Sequence, residues 1–156
     1  MHDTPTDRTV ARRNAGVAAR ASVMERIIPS DFLRRVLLAD AACSGAMGLL
    51  LALLAGPLAR WFGLPAAMLL QVGVFLLAFA GFVAVLGLRR ASPRLLVWLV
   101  IVGNALWALD SVLLLVSGWV APTVLGGTFV VAQALVVALL AELEYTGLSR
   151  SARLAA

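Results

Sequence analysis

Several residues able to do chemistry stand inside or beside long apolar runs: the carboxylates Asp40, Asp110, Glu142 and Glu144, and the amides Gln71, Asn104 and Gln133. A charge at mid-helix in a bilayer costs about 2.5–3.5 kcal/mol on insertion scales, and such residues mark ion pathways or specific pairing. A carboxylate there must be hydrogen-bonded, paired, hydrated or protonated. Reckoned by helical rise from the ends of the apolar runs, Asn104 and Gln133 fall near the midplane and are expected to meet. Asp110 and Gln71 both fall in the outer third, where Asp110 is expected to accept from Gln71 with Trp107 shielding it. Asn104, Trp107 and Ser111 share one helix face. Asp40 lies nearer the cytoplasmic boundary, within reach of Arg34, Arg35, Arg89 or Arg90. Glu142 and Glu144 are two apart on a helix, so they point in different directions and read as boundary residues. Asp110 has two readings, a polar pocket or proton path and a hydrogen-bonded cluster that sets helix register.

Other chemistry finds no support. The one histidine, His2, stands in a polar tail. No histidine, cysteine and carboxylate set has metal-ligand spacing, and no cofactor motif occurs. Gly126-Gly127 opens an apolar run and does not follow a strand, so it is no phosphate loop. No serine or cysteine has a base partner at a readable spacing. Cys43, the single cysteine, reads as a small packing residue. Neither a catalytic nor a metal site is expected.

The elements that must hold these polar residues are membrane helices. Hydrophobic residues make up 62% of the 156 and charged residues only 13%, against about 45–50% and about 25% in soluble domains. Apolar runs cover about 36–58, 66–88, 95–117 and 123–143. Each meets the roughly 20 residues that a helix needs to cross the hydrocarbon. They are continuously apolar and too long for barrel strands. Ser30-Asp31 is a good N-cap, Pro65, Pro93 and Pro122 suit helix starts, and Gly147 suits a helix end. Short connections make consecutive helices antiparallel neighbours. The expected fold is therefore an all-α, four-helix antiparallel transmembrane bundle over residues 25–147.

All 13 basic residues are arginine, and the net charge is +5. They cluster before the first run, in the second connection (Arg89, Arg90, Arg94) and after the fourth run (Arg150, Arg153). The first connection has only Arg60, and the third has no charge. By the positive-inside rule both termini are cytoplasmic, which in a bacterium means a multi-pass inner-membrane protein. The basic residues read as partners of anionic lipid headgroups and not of nucleic acid. Residues 1–24 are polar and aromatic-free, a disordered basic tail by composition. Residues 148–156 form a short cytoplasmic tail.

Small residues recur where helices could approach closely. Ser44, Gly48, Ala52 and Gly56 are spaced by four; Ala66, Gly73, Ala80 and Gly87 are spaced by seven. Such stripes serve packing within the bundle or a face toward a second copy or another membrane protein.

The pattern Asp40-x3-Ser44-Gly45, Gly63-Leu64-Pro65, Gly103-Asn104-x2-Trp107, Asp110-Ser111 and Ala132-Gln133-Ala134 with Glu142 is similar to an uncharacterised group of small bacterial four-helix integral membrane proteins. The resemblance spans about residues 33–150 and implies the topology, with no activity attached. In size alone the chain also resembles the DoxX-like proteins. The expected function is non-enzymatic: an accessory or interaction subunit, or a small membrane scaffold. The alternative is a small proton-coupled transporter using Asp110 or Asp40. Water access to Asp110 discriminates the two: a dry cluster favours the first, and a continuous polar cavity favours the second.

Overall fold

The computed structural model describes residues 26–153, so the expectation for the tail 1–24 lies outside the described residues. In chain order the elements are β1 (Arg26–Ile28), α1 (Asp31–Leu53), α2 (Ala55–Phe62), α3 (Ala66–Leu88), β2 (Ser92–Pro93), α4 (Arg94–Ser117), α5 (Val124–Ser149) and β3 (Ala152–Arg153). Four helices, α1, α3, α4 and α5, are long and apolar enough to cross a membrane. The protein is an all-α four-helix bundle of the multi-pass membrane type.

The helix ends follow local chemistry. Ser30 caps α1, its side chain accepting from the Leu33 amide, and Thr123 caps α5 in the same way toward Gly126. The run expected to continue to residue 58 breaks at Leu54. Pro57 is the cause: it has no amide to give the Leu53 carbonyl, and its ring crowds that carbonyl. The chain restarts as the short helix α2, which ends on Gly63 with a positive φ of 67°. The fourth span runs six residues past its expected end, to Ser149, and Gly147 lies inside it.

Two hairpins make the bundle. The pair α1 and α3 is packed backbone to backbone. A Cβ on Gly73 would stand 2.6 Å from the Ala52 amide nitrogen, and one on Gly48 would stand 2.9 Å from the Gly73 carbonyl. The pair α4 and α5 forms the second hairpin. Between hairpins α5 packs on α1, whereas α3 and α4 meet mainly through long side chains, with Phe75 stacked on Trp107 at 5.7 Å. The expectation that every consecutive pair would be close neighbours therefore fails for α3 and α4.

Both ends of the bundle are tied. At one end the three short strands form an antiparallel sheet in the order β2-β1-β3, with Ile27 opposite both Ser92 and Arg153. These strands lie outside the apolar runs and were not legible as strands. Ser30 Oγ donates to the Gly147 carbonyl, and Arg34 Nε donates to the Gly87 carbonyl. At the other end the Thr123 amide donates to the Phe62 carbonyl, Gly126 packs on that same carbonyl, and Phe62 stacks on Phe129.

Candidate functional site

The polar residues inside the bundle gather in a seam between the hairpins. On α1 the buried stripe runs Leu33, Val36, Leu37, Asp40, Ser44, Gly48 and Leu51, steps of three and four that keep one face inward. Asp40 is therefore delivered to the core by the same periodicity that delivers the leucines. On α4 the buried stripe brings in Asn104, and on α5 it brings in Glu144. Asp40 and Glu144 are both 0% exposed. Asn104 Nδ2 donates to Asp40 Oδ2 and to Glu144 Oε2, each at 3.1 Å. Ser44 Oγ donates to Asp40 Oδ1 at 3.0 Å. One amide group on the second hairpin thus holds a carboxylate from each hairpin.

This differs from the expected pairings. Asn104 meets Asp40 and Glu144 and not Gln133. Depth counted from the start of the apolar runs misplaces these residues, because α1 and α4 begin earlier. From the start of α1, Asp40 lies about 14 Å deep, and from the start of α4, Asn104 lies about 15 Å deep, so the two are level. Direction decides the rest. Side chains lean toward their own helix N-terminus. Asn104 on α4 leans toward the sheet end, while Gln133 on the antiparallel α5 leans away from it. Glu144 sits nearer the sheet end and leans inward, so it reaches Asn104. Glu144, a boundary residue by its place in the sequence, is wholly buried. The stripe Val130, Ala134, Ala141, Glu144, Leu148 places it on the buried face, a signal present in the spacing.

The remaining polar residues lie elsewhere. Gln71 and Asp110 are exposed at the bundle surface, and the expected hydrogen bond between them does not form among the described residues. Asp110, Ser111 and Gln133 border a small hollow of about 60 Å³ with Trp107. Ser111 Oγ bonds back to the Trp107 carbonyl at 2.8 Å. Arg34, expected near Asp40, is engaged with the Gly87 carbonyl instead. Of the small-residue stripes, Gly48, Ala52, Gly73, Ala80 and Gly87 lie at the seam between α1 and α3. Ser44 serves the polar cluster, and Gly56 is on α2 with no neighbour where a Cβ would stand.

Below the cluster the hairpins part. A cleft of about 510 Å³ opens between α1 and α5, lined by Cys43, Ala46, Met47, Leu50, Phe129, Ala132, Val136 and Leu140, with Leu76 and Trp107 at its back. Its polar lining is limited to Ser44, Gln133 and the Cys43 thiol. A second hollow of about 60 Å³, bounded by Ser44, Asn104, Trp107 and Val137, adjoins the polar cluster and shares walls with the cleft. The volume of the cleft falls in the range of small-molecule sites, about 300–1,000 Å³.

No family model, curated protein or solved structure matches the chain. The cluster and the cleft are therefore read on their own chemistry. No group of three or more histidine, cysteine or carboxylate side chains that could hold a metal occurs among the described residues.

Proposed function

We propose that the protein works as a non-enzymatic accessory subunit or small scaffold of the membrane, and that its working surface is the cleft between the hairpins. The observation that carries this reading is the apolar lining of that cleft at bilayer depth. Hydrocarbon is the solvent there, so the occupant we assign is a lipid acyl chain. The polar cluster above it is enclosed, with Asp40 and Glu144 wholly buried. The burial of both acids supports a subunit over a carrier.

The orientation belongs to the same proposal. The sheet gathers the segment before α1, the second connection and the segment after α5 at one end, together with Arg26, Arg34, Arg35, Arg89, Arg90, Arg94 and Arg150. Arg60 alone among the described arginines is at the other end. That asymmetry supports a cytoplasmic sheet end facing anionic lipid, in a bacterial inner membrane.

Trp107 allows a direct test. In a protein whose Trp61, Trp98 and Trp119 are replaced by phenylalanine, the fluorescence of Trp107 should be quenched by lipids brominated on the acyl chain. Ala132→Phe, which fills the cleft, should reduce that quenching. An unquenched Trp107 would show that no acyl chain enters.

A second reading, the proton-coupled carrier, is favoured by one observation: the acid and amide groups straddle the seam along which two hairpins could move. Reconstitution into liposomes with a pH gradient tests it. A proton flux lost in Asp40→Asn, with the fold retained, would replace the subunit reading.

A further inference from the structure

The polar seam contains a group that its partners leave incomplete. Glu144 Oε2 accepts from Asn104, but Oε1 is buried with no hydrogen-bond partner among the described residues. Asp40 spends Oδ1 on the Ser44 hydroxyl and Oδ2 on the same amide nitrogen that serves Glu144. The donors that reach the two carboxyl groups, one amide and one hydroxyl, are both neutral.

The described charged and titratable groups on the surrounding elements are engaged in other contacts, distant along the helix, or exposed. On α1, Arg34 gives its Nε to the Gly87 carbonyl, and Cys43 is exposed in the cleft wall. The α3 segment, Ala66–Leu88, carries no charge. On α4, Arg94 begins the helix about 15 Å from Asn104, and Asp110 is about 9 Å beyond it in the other direction, by helical rise. On α5, Glu142 is exposed, and the Tyr145 ring sits edge-on to Trp98.

Two carboxylates converging on one amide repel each other when both are charged, and burial leaves little to screen them. A single proton removes the conflict. The O–H of one carboxyl group donates to an oxygen of the other, and the open Glu144 Oε1 is the position left for it. We propose that Asp40 and Glu144 together form a proton-binding site that holds one proton across the seam between the hairpins, with Asn104 as the shared donor. A hollow of about 60 Å³ borders the site at Ser44 and Asn104. Release of the proton leaves two charges facing each other, one on each hairpin. The proposal stands whatever occupies the cleft.

Infrared spectroscopy of the full chain in lipid nanodiscs tests it. The expected result is a protonated-carboxyl carbonyl band at neutral pH, worth one carboxyl per chain. The double variant Asp40→Asn/Glu144→Gln, which keeps shape and hydrogen bonding, should abolish the band, whereas Asp110→Asn should leave it intact. A wild-type spectrum with no such band overturns the proposal without any variant having to fold. So does a band that survives both substitutions, or one that sodium at constant pH displaces, which would mark a cation site instead.

Discussion

Asn104 is the residue on which the seam turns, because among the described residues it is the one side chain hydrogen-bonded to both acids. Asn104→Leu keeps the volume and removes the donor, leaving Asp40 with Ser44 alone and Glu144 with no donor among the described residues. A buried group deprived of its partner costs about 1–3 kcal/mol, so this variant should melt well below the parent in detergent. Asp110 makes the opposite case. It is exposed and has no hydrogen bond among the described residues, so Asp110→Asn should stay within about 0.5 kcal/mol of the parent in the same assay. A large loss there would mean that Asp110 has a partner outside this chain. Asp40 and Asn104 were both legible as intramembrane polar residues. Their pairing was not, because it depends on where each helix begins and which way its side chains lean.

Among the elements, the tightest join is between α1 and α3, and it rests on glycine at the crossing. Gly73→Leu would drive a side chain into the backbone at Ala52, from which even a Cβ stands only 2.6 Å. No rotamer avoids that contact, since it begins at the Cβ itself. The expected outcome is separation of the two helices and loss of about 2 kcal/mol or more, in the manner of overpacked cores. Gly56→Ala, with nothing within 4 Å of its Cβ, should be neutral. Thermal unfolding of both variants in one detergent makes the comparison. The seven-residue spacing of Gly73, Ala80 and Gly87 was readable as a packing seam. The division of the first run at Pro57 was equally written in the chain, but the apolar character of the flanking residues masked it.

For the whole molecule, the sheet places the segment before α1 and the segment after α5 on one side of the membrane. A reporter fused after Arg153 should be active only in the cytoplasm, and one inserted at 63–65 only outside; an exported C-terminal reporter would reverse the proposed orientation. Removal of residues 1–24 leaves β1 and the flanking Arg26, Arg34 and Arg35 in place, so insertion and thermal stability should match the full chain. Failure of the shortened protein to enter the membrane would assign the tail a role in targeting or folding.

Hydropathy, run length and proline position by themselves determined four membrane helices, because a bilayer penalises any unpaired backbone and leaves the apolar run little choice but a helix. The even number of runs placed the second connection at the same end as the segments before α1 and after α5, which the sheet joins. Spacing along α5 also held the burial of Glu144, although its position near the end of an apolar run suggested a boundary. Only the tertiary structure decided that the bundle is two hairpins with a cleft between them, and that Asp40, Asn104 and Glu144 converge. Depth along one helix can be counted from sequence, but contact between antiparallel helices depends on their relative offset and on opposite side-chain lean. Those are set by glycine-to-backbone packing and by the ties at both ends, which no single segment contains.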